Sequence, residues 1–349
     1  MPQSMSMGEA WQAFESGLQE FKNSAPLPAS AAKVLDAARS KIVRQISDGT
    51  ECVEPGCTRP PVKSHVIARR SGIDPLVDQN HRVTAPFLDN NTRAQVREVY
   101  ARSATVFKGY CSVHEGDFHD FEQQKLLSTP SHYALQLKRS SAREEFVWHA
   151  RWKAVDEALA LVRDLIQDHS TDDARKGYWT GQIEDPLVSY FIHVRLRLDH
   201  FSFVHSDVVS QVAAKDAQLP PWIHCFSHPA TYPVAISGSS DLLMPDRLVP
   251  FVFVSIPNGD DWLTIFGATK DDAQAVDAFA QRFASDDQMR EKLLLEWMAY
   301  SDHWVARTDW WKLLSGEVRQ AILTGLELGA DRATFTTKIA DRIDEEFRS

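Results

Sequence analysis

Cys52 and Cys57 are separated by four residues that include Pro55-Gly56, and Cys111 and His114 are separated by two. The Pro-Gly pair lets the backbone turn sharply, so both sulfurs of the first pair can face one ion. The second pair has the spacing of a zinc knuckle that opens a helix. Together they form a Cys₃His set, closed and tetrahedral, suited to zinc. Such a saturated site leaves no position for substrate, so its ion is expected to hold the fold rather than to react. The ordinary alternative is unrelated buried thiols, since free cysteine packs as a small hydrophobe; the paired spacing argues against it. Four cysteines in 349 residues are too few for a disulfide scaffold, and thiolates fit a reducing compartment.

The rest of the chain frames this module. Residues 6–24 place Trp11, Phe14, Leu18 and Phe21 at helical steps, and a second helix is expected from Ser30 to Ser47, with Val34, Leu35, Ala38, Ile42, Val43 and Ile46 buried. From Asp48 to Glu122 sustained periodicity gives way to Gly, Pro, Cys, His and Asn, the language of short strands ordered by a metal. Helical patterns return beyond Pro130 and again over 185–213. Segments 234–237, 249–256 and 262–267 read as strands, the last two joined at Asn258-Gly259-Asp260 by a loop expected to exceed two residues. Helices are expected from Asp271 onward, interrupted near Ser301 and Asp309. The expected fold is therefore α+β and mostly helical. It comprises an N-terminal helical pair (1–48), a zinc-knuckle module (49–125), a helical middle (126–217) and a C-terminal α+β domain (218–349).

Between the two knuckles runs Ser64-His65-Val66-Ile67, an apolar strand bearing one histidine and followed by Arg69-Arg70. This resembles the histidine-bearing strand of HNH endonucleases, the ββα zinc-bearing group. The resemblance implies that His65 is a general base activating water against a phosphodiester, with Mg²⁺ or Mn²⁺ at the leaving oxygen. The other positions of the motif have no secure place. Asn80-His81, Asn90-Asn91 and His119 are candidates, His81 foremost, and Glu115, Asp117, Asp120 and Glu122 supply carboxylates, Glu115 foremost. The stretch between His65 and Cys111 exceeds that of compact HNH motifs, so it carries an insertion. A narrower pattern, with Cys52, Cys57, Lys63, Ser64, His65, His81, Phe107, Gly109, Tyr110, Cys111, His114, Glu115, Phe118 and Glu122, resembles uncharacterised bacterial zinc-knuckle proteins associated with mobile or defence genes. It covers about 70 residues and implies a zinc module more firmly than a nuclease.

Net charge is −10, which repels a phosphate backbone unless positive residues are segregated. They are: between Cys52 and Cys111 nine basic residues face five acidic ones. Arg59, Lys63, Arg69 and Arg70 are the candidate nucleic-acid contacts, with DNA as the expected partner. Trp222-Ile-His224-Cys225-Phe-Ser-His228 offers a second His/Cys cluster but lacks a partner pair, and core packing is the better reading. Trp297, Trp304, Trp310 and Trp311 read as core. Phosphate-loop, dinucleotide-binding, zincin and α/β-hydrolase motifs are absent. Met1 to Lys22 lacks a signal-peptide pattern and no run is apolar enough to span a bilayer, so a cytoplasmic protein without membrane contact is expected. Two functions follow: an HNH-like endonuclease acting in antiviral defence, alone or with a protein partner, or a non-catalytic zinc-stabilised binding or regulatory subunit.

Overall fold

The structure is a computed structural model that describes residues 5, 7–24, 29–30, 32–33, 35, 51–88, 93–170, 172–214, 218–229, 232–244 and 247–328. The expected helix over 30–47 lies largely outside them, as do Asn90-Asn91 and the chain beyond 328. In chain order the elements begin with α1 (Met7–Ser24), β1 (Pro61–His65), β2 (Arg82–Leu88), β3 (Ala94–Tyr100), β4 (Val106–Cys111), α2 (Ser112–Glu115) and α3 (His119–Glu122). Next come α4 (Pro130–His169), α5 (Asp173–Trp179), α6 (Asp185–Ala214), β5 (Ile223–Pro229), β6 (Val234–Leu243), β7 (Leu248–Asn258) and β8 (Asp261–Gly267). The chain continues through α7 (Ala273–Ser285), α8 (Asp287–Tyr300), β9 (His303–Ala306), α9 (Thr308–Leu313) and α10 (Gly316–Leu328). The class is α+β, with two antiparallel sheets among the described residues.

The described residues cluster into two units that do not follow linear segments. One draws on 1–46 and 147–199. Its α1 buries Ala10, Phe14, Gly17 and Phe21, as the helical spacing requires, and Phe21 meets Trp179 edge-on at 5.0 Å. At Gly17 the Gln182 carbonyl comes so close that a Cβ would sit 2.1 Å from its oxygen, so only glycine fits.

The second unit draws on 47–146 and 200–329 and holds both sheets. The small one pairs β1 with β4, His65 opposite Val106. The large one has the order β3-β2-β9-β6-β7-β8-β5. Two strand placements differ from the sequence reading. The insertion between His65 and Cys111 forms the hairpin β2–β3, which joins the large sheet through β9 rather than staying with the zinc module. The turn between β7 and β8 is also shorter than expected: Asn258 pairs with Asp261, leaving a two-residue loop with Gly259 at φ +80°.

On β6 the period-2 alternation sorts the two faces. Val234 and Ile236 enter a core with Phe251, Phe253, Phe283 and Trp297, where Phe253 stacks on Trp297 at 3.9 Å. Ser237 and Ser239 face the other way and meet α4: Ser237 donates to Ser140 Oγ at 2.9 Å and Ser239 to Glu144 Oε2 at 2.6 Å. These short side chains let the helix approach closely. Trp304 and Trp311 are buried in the same core, in keeping with the sequence reading.

Candidate metal centre and His65

Three backbone bonds shape the first knuckle. Cys57 N–H donates to the Glu54 carbonyl at 3.0 Å, Cys52 N–H to Arg59 at 3.1 Å, and Val53 N–H to Gly109 at 2.8 Å. Gly56 supplies the turn at φ +76°, in the left-handed region that side-chain-bearing residues avoid. The Val53 bond lays the knuckle on β4, whose last residue is Cys111, and α2 then presents His114 one turn on.

The four donor atoms converge within 4.8 Å of one another. Cys52 Sγ lies 3.3 Å from His114 Nδ1, Cys57 Sγ 3.8 Å from Cys111 Sγ, and Cys111 Sγ 3.5 Å from His114 Nδ1. A tetrahedral site with metal–sulfur bonds of about 2.3 Å places its sulfurs about 3.8 Å apart, so these residues fit a metal ion. Burial pushes the Cys52 thiol up to about 11, whereas the backbone at His114 draws Cys111 down to about 7. A bound dication favours the thiolate at each. No other group of this kind occurs among the described residues. On β5, His224 and His228 share one face and Cys225 takes the other. His228 Nε2 is bonded to Thr264 Oγ1 at 2.8 Å, and burial raises Cys225 to about 12.

The module is fixed to α4 by charge. Residues 136–143 of that helix are all buried, including Lys138, Arg139 and Arg143. Lys138 Nζ lies 3.0 Å from Glu54 in the first knuckle and 3.9 Å from Asp117. Arg139 donates to Glu115 Oε1 at 2.7 Å and to Glu122 Oε1, while its guanidinium lies 4.2 Å from the Phe118 ring centre. The remaining oxygens are also engaged: Ser64 donates to Glu115 Oε2 at 2.6 Å and Arg69 N–H to Glu122 Oε2 at 3.1 Å. One guanidinium thus bridges two carboxylates, and each of their oxygens already accepts one hydrogen bond from the protein. Gln136 completes the docking, donating to the Val66 carbonyl at 2.8 Å and accepting from Ala68 N–H at 2.9 Å.

His65 ends β1 between these contacts. Its ring is tied to the backbone of Arg102, and Nε2 is buried without a hydrogen-bond partner. The neighbouring strand contacts place the ring beside the segment that leads from Arg102 to Val106: Val66 N–H donates to the Thr105 carbonyl at 2.8 Å and His65 pairs with Val106. Burial, then the charges of Arg139 and Arg69, lowers its pKa to about 4, so the ring is neutral at cellular pH.

The other expected residues are dispersed. His81 is exposed in a turn at φ 57°, where its carbonyl accepts from Ala101 N–H at 3.1 Å. Arg59, Lys63, Arg69 and Arg70 are all exposed. Lys63 stands opposite Lys108 across the β1–β4 ladder, Arg69 Nε donates to Asp74 at 3.2 Å, and Arg70 donates to the Gln123 carbonyl at 3.3 Å. Arg139 and Lys138 escaped the sequence reading, because cations in a helical pattern look like a solvated face. A usable signal existed in Glu54, Glu115 and Glu122, three acids of the zinc module that needed partners. Comparison of the chain with protein-family models, with curated proteins and with solved structures returns no match.

Proposed function

We propose that the chain hydrolyses nucleic-acid phosphodiesters, with His65 as the general base of an HNH-like module whose Cys52, Cys57, Cys111 and His114 hold structural zinc. The observation that supports this reading is the His65 ring itself: kept neutral by burial, with an enclosed Nε2 that has no hydrogen-bond partner, at the end of a strand that exposed Arg69 and Arg70 follow. In this reading the loop around His65 opens to admit water to Nε2, which takes its proton as the water oxygen bonds to phosphorus; the phosphorus–oxygen bond to the leaving group breaks and the departing oxygen takes a proton from solvent. A bound phosphate also raises the low basicity that burial imposes. Thiolate-rich donors favour zinc over Mg²⁺ or Ca²⁺.

No step is assigned to Mg²⁺ or Mn²⁺, and Glu115 is given a structural role, because Arg139 and Ser64 occupy its oxygens. DNA as the substrate, a cytoplasmic setting, action in antiviral defence and a protein partner rest on the resemblance and the charge pattern. The engagement of Glu115 and Glu122 by Arg139 in a structural bridge favours a second reading, a zinc-stabilised subunit that binds without cutting. Purified wild type and His65→Ala, incubated with supercoiled plasmid, single-stranded DNA and RNA, with and without added Mg²⁺ or Mn²⁺, separate the two. Cleavage by wild type alone is the expected result; equal cleavage by both proteins removes His65 from the mechanism, and binding without cleavage by either supports the second reading.

A further inference from the structure

Tyr100, the last residue of β3, is 48 % exposed at the free edge of the large sheet. Two guanidiniums attend its ring: Arg82, its cross-strand partner, at 5.0 Å and Arg102 at 5.5 Å. Arg102 also lies just before Thr105 and Val106, which pair with Val66 and His65. The turn Ala101–Ser103 therefore joins an exposed arginine-flanked aromatic to the segment that pairs with His65 and Val66. Two acids temper the charge here: Glu98, 4.0 Å from Arg82 and ion-paired to Lys312 at 2.7 Å, and Asp78, which also acts on Arg82. Three basic side chains still face these two acids.

Double-stranded helices keep their base faces stacked inside, whereas single strands expose them. An exposed ring and guanidinium planes offer surfaces on which an unpaired base stacks, and the same arginines meet its phosphates. We infer that Tyr100, Arg82 and Arg102 form a subsite for a single-stranded nucleic-acid segment, seating one unpaired base. The inference rests on the proposed reading of His65 for its catalytic meaning, but the binding stands or falls separately. Phe87 and Arg97 form a similar pair, 4.0 Å apart. The β2–β3 register puts Phe87 on the opposite face from Arg82 and Tyr100, so it serves as an internal control.

The test is fluorescence anisotropy of a labelled single-stranded DNA oligonucleotide, its RNA counterpart and the matching DNA duplex, using full-length protein in a His65→Ala background without added Mg²⁺. Adding Tyr100→Ala is expected to weaken single-strand binding about 5- to 100-fold while sparing the duplex, with Tyr100→Trp retaining affinity. Arg102→Ala is expected to weaken binding and to reduce the salt slope by about 0.7. The DNA and RNA arms show which strand is preferred. Unchanged binding by Tyr100→Ala, an equal loss in Phe87→Ala, or no single-strand binding before Tyr100 is altered overturns the subsite. Tyr100-dependent binding by a protein whose wild type cuts nothing upholds the subsite and removes the catalytic reading. Cleavage of single strands at an unaltered rate by Tyr100→Ala, with His65 intact, does the reverse.

Discussion

The guanidinium of Arg139 has no exposure to solvent and donates to Glu115 Oε1 at 2.7 Å. Its second bond, to Glu122, makes one buried cation the anchor of two short helices, α2 that carries His114 and α3 that follows it. Burial lowers the Arg139 pKa while Glu115 raises it, and arginine keeps its proton throughout. The module is thus held externally by α4, and its four Cys and His donors could hold it internally through a metal ion.

Arg139→Met leaves two carboxylates without their cation. Breaking a buried ion pair in this way costs about 3–5 kcal/mol. Urea unfolding is expected to show a loss of that size, with Arg139→Lys in between because an ammonium cannot fork to both acids. A loss below about 1 kcal/mol in the methionine variant contradicts the anchoring role.

Metal analysis of purified protein is expected to find one zinc per chain, and Cys57→Ser or Cys111→Ser to lose it. Removing the ion removes the folding free energy it supplies. A chelator should therefore lower the melting temperature of the wild type far more than that of a cysteine variant. Identical melting with and without bound metal excludes a structural site.

Glu115→Gln separates a structural acid from a catalytic one. The amide can still accept from Ser64 but loses its charge pairing with Arg139, for an expected loss of about 1–3 kcal/mol. At a temperature where the variant is folded, its cleavage rate is expected to stay within about threefold of wild type, less than the roughly 100-fold that general acid–base catalysis contributes. A hundredfold slower rate in a fully folded variant returns Glu115 to the reaction.

Acid sensitivity follows from two buried imidazoles. Burial lowers His65 and His303 to about 4, and His303 also accepts from Arg143 Nε at 2.7 Å, which needs the ring neutral. Unfolded histidine titrates near 6.5, so between about pH 6.5 and 4 the unfolded chain binds more protons than the native one. Stability is therefore full above pH 6.5 and falls as pH drops through that window, by up to about 1.4 kcal/mol per pH unit for each group. His303→Leu should flatten the slope measured by urea unfolding between pH 7 and pH 5, whatever it does to stability overall. A wild-type midpoint that does not move between these pH values contradicts the account.

The legible parts of this fold are those whose information is local. The Cys52–Cys57 and Cys111–His114 spacings bring donors together because each pair needs only one turn of backbone, leaving a single long-range pairing, β1 with β4, to join them. Helices α1, α4 and α6 follow from their apolar periodicity. Strand β9 was hidden because His303-Trp304-Val305-Ala306 is four residues long and lies between helices. Its strand identity comes from pairing with β6 and β2, contacts remote in sequence. The same holds for β2–β3, whose membership of the large sheet rests on the Thr84–Ala306 pairing. Nothing local distinguishes Arg139 from a solvated arginine, since its burial is decided by acids at 115 and 122.

The central claim is that His65 Nε2 takes a proton from the attacking water, and chemical rescue tests it most directly. His65→Ala leaves room for a small base at the site, so added imidazole should restore single-turnover cleavage to a measurable fraction of wild type, increasingly with the concentration of its neutral form. Cleavage by His65→Ala at the wild-type rate without imidazole contradicts the claim.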